Sequence, residues 1–343
     1  MARDGPKDKP AVTVLIVAYE SGAHLGHCLG ALKDQTFAAH EVVMVDNAST
    51  DGAPQAAATH FPHVRQIPAD KNLGFAAGTN LAAHHATGDW LALINPDAIA
   101  ALDWLERLMA ATTTYPAVEC FTSRQLLADG SDRLDGLGDV MSISGFPYRG
   151  GYGHPDPGDT VVGEVFSACG GAMLIRRDLF EAMGGFDECL FCYGEDVDLG
   201  YRLRLVGKPT LLIPDAVVHH HGGTASGGPR SDFAAFHGTR NRFWVYLKNT
   251  PALLLWLTLP LHILATVTLF ARHATRGELA APWRGLMAGI KDIGVALNAR
   301  PETQATRTVS TWNIAKAMTW NPLDLLLRRA FIQRWPPSPP IAP

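Results

Sequence analysis

The chain of 343 residues has no excess of basic residues: 29 Lys and Arg stand against 33 Asp and Glu, a formal net charge of −4. A broad nucleic-acid footprint needs a basic face, so nucleic acid is not expected as a partner. No G-x-G-x-x-G follows the first apolar run, and no P-loop lysine is present. A dinucleotide fold and a P-loop are therefore disfavoured, and a nucleotide would have to be held by other means. The five cysteines are odd in number, and Cys189 and Cys192 form a lone C-x-x-C without the second pair of a zinc ribbon. Reduced, mostly buried thiols in a cytosolic protein are expected, with a redox or zinc role as the rival reading. Residues 1–10 are polar and lack the apolar centre of a secretory signal, so they read as a short disordered lead-in.

Length allows one large or two moderate domains. Val12–Ala18, Glu41–Asp46 and Trp90–Ile94 are short apolar runs of the kind that form buried strands, and Val64–Ile67 is a weaker one. Helical spacing marks Ala23–Gln35, Gly74–Ala86 and Leu102–Thr113 between and after them. Strand, helix, strand in this order predicts right-handed βαβ units around a mostly parallel sheet. Residues 129–159 are rich in Gly, Pro and Asp and read as a loop with short strands. Further strands are expected at Val161–Phe166, Ala172–Ile175 and Leu211–His219.

Glu195, Asp196 and Asp198 place three carboxylates within four residues, behind an aromatic, Cys-containing run and ahead of a helical segment. Partly buried neighbouring carboxylates raise one another's pKa, so the cluster suggests a general base, a metal site or both. Asp198 precedes Arg202 by four residues, and an i,i+4 surface pair is its expected role. Adjacent acids on one segment do not face each other across a scissile bond, which disfavours a two-carboxylate hydrolase.

Ligands of parallel α/β sheets bind beyond the carboxyl ends of the strands. The polar residues there are Ala18-Tyr19-Glu20, Asp46-Asn47 and Asn95-Pro96-Asp97. Each alone is a normal turn former. Three such ends together with the later carboxylates outweigh that reading. Asp46 suits a base edge or ribose, and Asp97 suits a divalent cation that bridges phosphates.

At these residues the chain resembles the family 2 glycosyltransferases, inverting enzymes of the GT-A fold, and most of all their rhamnosyltransferase-like branch. The resemblance is carried by Val14–Tyr19, Val45–Gly52, Asn72–Asn80, Leu93–Asp97, Gly170–Arg177, Gly184–Glu188, Gly194–Leu199 and His219–Gly223, in the family's order, and covers Val12 to Lys248. It implies an α/β GT-A domain over residues 11–240. Asp46 would contact the nucleobase, with Ala18, Tyr19 and Glu20 beside it. Asn72, Gly74, Asn80 and Asn95 would line the nucleotide-sugar pocket. Asp97 would hold the metal, Mg2+ or Mn2+, in a D-x-D element whose first acid is here Asn95. Asp196 would be the catalytic base, Glu195 its neighbour in the acceptor site, and His219 a further metal or diphosphate ligand. The triple histidine leaves its own ambiguity, because a period of two puts His219 and His221 on one face and His220 on the other.

The implied reaction transfers a sugar with inversion from a nucleoside diphosphate donor, dTDP-rhamnose by branch, to a polyprenyl-diphosphate-linked or other glycan acceptor. A UDP-hexose donor and a non-catalytic glycan- or nucleotide-binding protein are the rivals. Residues 241–343 read as a helical region that associates with a membrane. The run Asn249–Ala271 is uncharged and long enough to span, but Pro251 or Pro260 is expected to break it. Its Trp residues and basic flanks suit the cytoplasmic surface of a cell membrane. The Pro-rich segment 336–340 is expected to be a flexible end. A homodimer is compatible with the sequence.

Overall fold

The structure is a computed structural model that describes residues 10–223, 227–228 and 231–335. The expected lead-in, apart from Pro10, and the Pro-rich end lie outside the described residues. The chain opens with β1 (Val12–Ala18), α1 (Gly22–Lys33), β2 (Glu41–Asp46), α2 (Ala53–His60), β3 (Arg65–Pro68), α3 (Gly74–His84) and β4 (Trp90–Ile94). Every residue of β1 and β4 is buried. Helices cover both faces of this sheet, so its central strands are unbroken apolar runs and not alternating ones. β4, β1, β2 and β3 run parallel in that order, with Ala18 level with Asp46. The polar residues after β1, β2 and β4 therefore emerge at one end of the sheet.

The next elements are β5 (Ala98–Ala100), α4 (Trp104–Thr114), β6 (Cys120–Leu127), β7 (Leu134–Gly136), β8 (Asp139–Met141) and β9 (Pro147–Arg149). Then come β10 (Gly163–Val165), β11 (Ala172–Arg176), α5 (Arg177–Ala182), α6 (Glu195–Leu205) and β12 (Thr210–His220). This half of the sheet is mixed. β11 lies antiparallel between β4 and β6, and β12 runs parallel to β6. The segment 129–159 supplies β7 to the large sheet and β8–β9 as a separate hairpin, and both are largely buried.

The C-terminal part is helical: α7 (Asp232–Asn249), α8 (Ala252–Ala274), α9 (Ala280–Lys291), α10 (Gly294–Ala305), α11 (Thr311–Lys316) and α12 (Pro322–Leu327), closed by β13 (Gln333–Arg334) against β10. Pro251 caps α8, but Pro260 sits inside it without breaking it, contrary to expectation. Pro260 is exposed, so the helical bond it removes is lost on the outer side of α8.

Two apolar layers cover the sheet, one containing Ile16, Met44, Trp104 and Phe121, the other Leu15, Val43, Met173 and Leu203. A third cluster joins Phe166, Val197 and Tyr201 to Trp244, Leu254, Ala296 and Ile314. Burying each large side chain of this kind contributes roughly 2–3 kcal/mol. The boundary expected after residue 240 falls inside α7, and this third cluster runs across it. The cysteines are all free, with Cys28, Cys120 and Cys169 buried, Cys192 half-buried and Cys189 exposed.

Candidate active site

Hydrogen bonds lock the loops after β1 and β2 together. Glu20 has φ +44° and its Oε1 accepts from the amide (2.8 Å) and hydroxyl (3.0 Å) of Thr50. The Asn47 amide donates to the carbonyl of Ala18 at 2.8 Å, and Ser49 donates its amide to Asp46 Oδ1 at 2.9 Å. The buried side chain of Asn47 then reaches the next loop: its Oδ1 accepts from Leu73 (2.8 Å), and its Nδ2 donates to Asn72 Oδ1 (3.0 Å). Tyr19, Glu20, Asp46, Asn72 and Gly74 are thereby gathered at the carboxyl end of the parallel strands. Gly74 has φ +83°, and a Cβ there would stand 2.5 Å from the carbonyl oxygen of Phe191, so only glycine fits. Asn80 does not join this group. Its amide donates to the carbonyl of Phe186 (2.9 Å) and to Glu188 (3.0 Å), and its oxygen accepts from the amide of Phe186 (2.9 Å), which staples α3 to the loop before α6.

At the end of β4 the imidazole that meets Asp97 is not the expected one. His219 is exposed, and the imidazole that meets Asp97 is that of His220. His220 is buried, with Nε2 3.1 Å from Asp97 Oδ1 and 3.2 Å from Asn95 Nδ2, and Nδ1 2.8 Å from Asp135 Oδ2. The physical reason is a register shift between Ile213 and Val217. Before it Leu211 and Ile213 face the first apolar layer; after it Ala216 and Val218 do. The inward parity changes from odd to even, and His220 follows the even set.

Burial alone would lower the pKa of His220, but its hydrogen bonds to Asp135 and Asp97 raise it to about 9. Burial works against Asp135 as well, and Arg149 and His220 outweigh it and hold its carboxyl below the usual range. Arg149 Nη1 donates to both oxygens of Asp135, at 2.7 and 2.6 Å. Among the described residues no group of three or more His, Cys, Asp and Glu converges on one point. Asp97 is a hard oxygen donor suited to a divalent cation, and His220 would join it there only by giving up the Nε2 proton it now shares with Asp97. Asp135 accepts at Nδ1, which leaves Nε2 of His220 aimed at the Asp97 carboxylate, as in carboxylate–histidine–metal arrangements.

The third part of the site is the start of α6. Phe191, Tyr193 and Gly194 have φ of +65°, +68° and +93°. Asn241 of α7 holds this loop: its Nδ2 donates to the carbonyls of Leu190 (2.8 Å), Cys192 (2.9 Å) and Tyr193 (2.6 Å). The loop delivers Glu195 and Asp196 to the helix N-terminus, where the peptide dipoles favour negative charge. Asp196 is half-buried; its Oδ2 accepts from the amide of Gly170 (2.9 Å) and its Oδ1 from its own helix at Val197 (2.8 Å). Glu195 is buried, and its Oε2 has no protein partner. Burial, then the neighbouring Asp196, pushes Glu195 up to about 8; burial also raises Asp196. The two carboxyls titrate as a pair whose proton affinity burial and mutual repulsion raise, the environment of a general base.

Asp198 does pair with Arg202, at 2.8 Å, but not on the surface. It is fully buried and also bonds Lys248 and Asn249, each at 2.7 Å. These partners outweigh burial and bring its pKa down to about 2.

With this geometry in place, the kinship of the chain is informative. Residues 13–184 match the family model of glycosyl transferase family 2. The chain belongs to that family. Over 250 residues it is 32% identical to the N-acetylglucosaminyl-diphospho-decaprenol L-rhamnosyltransferase of Mycobacterium tuberculosis, which covers 65% of this chain and 80% of the relative. Among solved structures it resembles GalNAc-T7 with UDP, GalNAc and Mn2+ (TM-score 0.55, 18% identity, 71% of this chain and 51% of that one). It also resembles the mannosyltransferase PcManGT of Pyrobaculum calidifontis with GDP-Man and Mn2+ (TM-score 0.51, 20% identity, 94% and 88%). The architecture of this family 2 glycosyltransferase is thus the GT-A fold with a helical C-terminal region.

Asn47, Asp135, Arg149, His220 and Asn241 escaped the sequence reading as site residues of the glycosyltransferase. Asn47 and His220 lie in the motifs that carried the resemblance, next to the residues chosen. Asp135 and Arg149 fall in the Gly- and Pro-rich stretch, which has no periodicity to place them. Asn241 lies on a helix outside the strand ends and acts through backbone carbonyls.

Proposed function

We propose that this glycosyltransferase moves a sugar, with inversion, from a nucleoside diphosphate donor to a polyprenyl-diphosphate-linked glycan acceptor at the cytoplasmic face of a membrane. The observation that carries the mechanism is Asp196 at the start of α6, its Oδ2 2.9 Å from the amide of Gly170, beside the buried Glu195. Asp46 and the loop of Ala18, Tyr19 and Glu20 take the nucleoside, with Asn72 and Gly74 beside them. Asp97 and His220 would hold a divalent cation, which supplies charge neutralisation on the leaving diphosphate. The acceptor hydroxyl gives its proton to a carboxylate oxygen of Asp196 as its oxygen bonds the anomeric carbon. The nucleoside diphosphate departs from the opposite face of the sugar, so the anomeric configuration inverts. Glu195, whose carboxyl burial and Asp196 push up to about 8, lines the acceptor side.

The 32% identity to a rhamnosyltransferase acting on a decaprenol-linked diphosphate supports dTDP-rhamnose as donor and a lipid-linked saccharide as acceptor. The test is to supply dTDP-rhamnose, UDP-glucose and UDP-N-acetylglucosamine in turn, with Mn2+ and a polyprenyl-diphosphate N-acetylglucosamine acceptor. Product release and the anomeric configuration of the new linkage are then read by chromatography and NMR. Release of dTDP with an inverted linkage is expected. Turnover of a UDP-sugar alone would overturn the donor assignment, and retention would overturn the role of Asp196.

A further inference from the structure

We infer that α8 is an in-plane membrane helix: its bare face, continued by α9, docks on the surface of an anionic bilayer without crossing it. This deepens the membrane-face reading above, and its purpose, though not the docking itself, rests on the lipid-linked acceptor.

α8 has 23 residues and is apolar and long enough to cross a bilayer. Only a narrow stripe of it is covered, Leu254, Thr258 and His262, spaced by four residues. The other side presents Trp256 (71% exposed), Leu257 (67%), Leu264 (62%) and Val267 (60%). A contiguous apolar face of this size is not normally left to water. The ring of Phe270 near the end of α8 lies 6.2 Å from that of Trp283 on α9, so the half-exposed Trp283 and Ile290 extend the same surface.

The covered stripe argues against a span. His262 stacks on Tyr246 with ring centroids 4.1 Å apart, and its Nδ1 lies 2.9 Å from the carbonyl oxygen of Ser144. Thr258 and the Tyr246 hydroxyl are hydrogen-bonded at 2.9 Å, and the guanidinium of Arg242 sits 4.0 Å over the Phe146 ring that also meets His262. These groups belong to α7 and the turn of the β8–β9 hairpin. A helix crossing the hydrocarbon would carry hairpin backbone and a guanidinium into it, where irregular backbone and charge are not tolerated against lipid. Lying in the interface keeps the stripe on the protein and gives only the bare face to the acyl chains.

Charge selects the occupant. Residues 250–343 carry ten Lys and Arg against four Asp and Glu, a net of +6, while the preceding 249 residues carry 19 against 29, a net of −10. Arg272 stands in the last turn of α8 and Arg276 just after it, and Arg284 and Lys291 stand on α9. A second copy docked by the same face would bring like charge to this surface, whereas acidic headgroups complement it. The hairpin that meets α8 at its turn carries Asp139 and Arg149 at its other end, and Arg149 holds Asp135 of the His220 site. Three-residue strands at ~3.4 Å per residue make that separation about 10 Å. Docking would thus set the active site against the layer that carries the acceptor's diphosphate.

Sedimentation of the full chain with phosphatidylglycerol or phosphatidylcholine vesicles, without donor or acceptor, tests the docking. Binding to phosphatidylglycerol is expected, with at least tenfold loss on phosphatidylcholine and in the Leu257→Glu/Leu264→Glu double variant. Arg272→Glu/Arg276→Glu, which changes only exposed charges, is expected to weaken it severalfold. Depth-sensitive labels on cysteines placed at Leu253 and Val267, with Cys189 and Cys192 replaced by Ser, separate the orientations. In-plane docking puts both labels at one depth; a span separates them by about 21 Å at ~1.5 Å per residue. Unequal depths, unchanged binding by both charge-altering variants, or a dimer that the double leucine variant dissolves without vesicle binding would overturn the inference. Vesicle binding without transfer to any acceptor would instead sink the proposed reaction and leave the docking standing.

Discussion

His220 Nε2 lies 3.1 Å from Asp97 Oδ1, while its other ring nitrogen is fixed by Asp135 at 2.8 Å. If the proposed cation sits at Asp97, His220, and not the exposed His219, is the imidazole beside it, once its Nε2 proton is displaced. His220→Ala is expected to lower Mn2+ affinity and sugar transfer about 100-fold, and Asp135→Asn, one step further out, by about 10–100-fold. His219→Ala should stay within about twofold of the parent, since its ring bonds neither carboxylate. Mn2+ titration followed by electron paramagnetic resonance reads the affinity directly. A larger loss from His219 than from His220 would reverse the assignment.

Asp196 and Glu195 should separate cleanly on substitution. Asp196→Asn removes the base and is expected to reduce kcat by about 10²–10⁴ while donor binding is kept. Glu195→Gln should cost less than about tenfold near pH 7, because burial and Asp196 favour the neutral acid that glutamine mimics. Since burial raises Asp196 above the ordinary carboxylate range, transfer should fall off on acidification at a higher pH than a solvated aspartate would dictate. The kcat/KM profile of parent and Glu195→Gln checks this. An acid limb at an unshifted carboxylate pKa, or equal losses in the two variants, would remove the division of labour.

The strands were legible because of how they are buried. β1, β2 and β4 match their apolar runs, since both faces are covered and no charge lies inside them. The places of Asp46, Asp97 and Asp196 were legible for a related reason: each ends, follows or opens an element whose end is marked by composition. His220 was not. Counting by twos from Leu211 and Ile213 makes residue 219 the inward one, and the register shift at Pro214 that changes the parity leaves no trace in the hydrophobic pattern. Asp135 and Arg149 were hidden because they stand on strands of three residues, too short to show a period. Asp198 shows the converse. Its helical partner Arg202 was visible at i,i+4, but Lys248 and Asn249 arrive from 50 residues away, and they make the pair a buried one.

Asn241 should matter to transfer without touching substrate. Its amide is the donor for carbonyls of Leu190, Cys192 and Tyr193 in a loop with left-handed residues at 191, 193 and 194. Asn241→Ala leaves buried carbonyls unpaired and is expected to cost about 1–3 kcal/mol in unfolding free energy. Because the same loop sets the position of Glu195 and Asp196, kcat should fall more than the donor KM rises. Asn241→Asp keeps the shape but offers no N–H, so it should resemble alanine. Rescue by aspartate would mean that packing, and not donation to the loop carbonyls, is what Asn241 provides.

The buried ion pair of Asp198 with Lys248 makes a signed prediction about pH. Asp198 titrates near 3.8 when unfolded and at about 2 when folded, so its folded pKa is depressed. Its contribution, about 2 kcal/mol at 1.36 kcal/mol per unit, is present above the unfolded value and is lost as pH falls from about 4 through 2. Lys248→Ala strands a carboxylate in the interior with Arg202 and Asn249 and is expected to destabilise the fold by about 3 kcal/mol at pH 7. The gap between parent and variant should close on acidification, because protonated Asp198 no longer needs the ammonium. Urea unfolding at pH 7, 4 and 2.5 measures it. A gap that stays constant with pH would place the loss in packing of the lysine stem, and the charge pair would then not be what fastens α6 to α7.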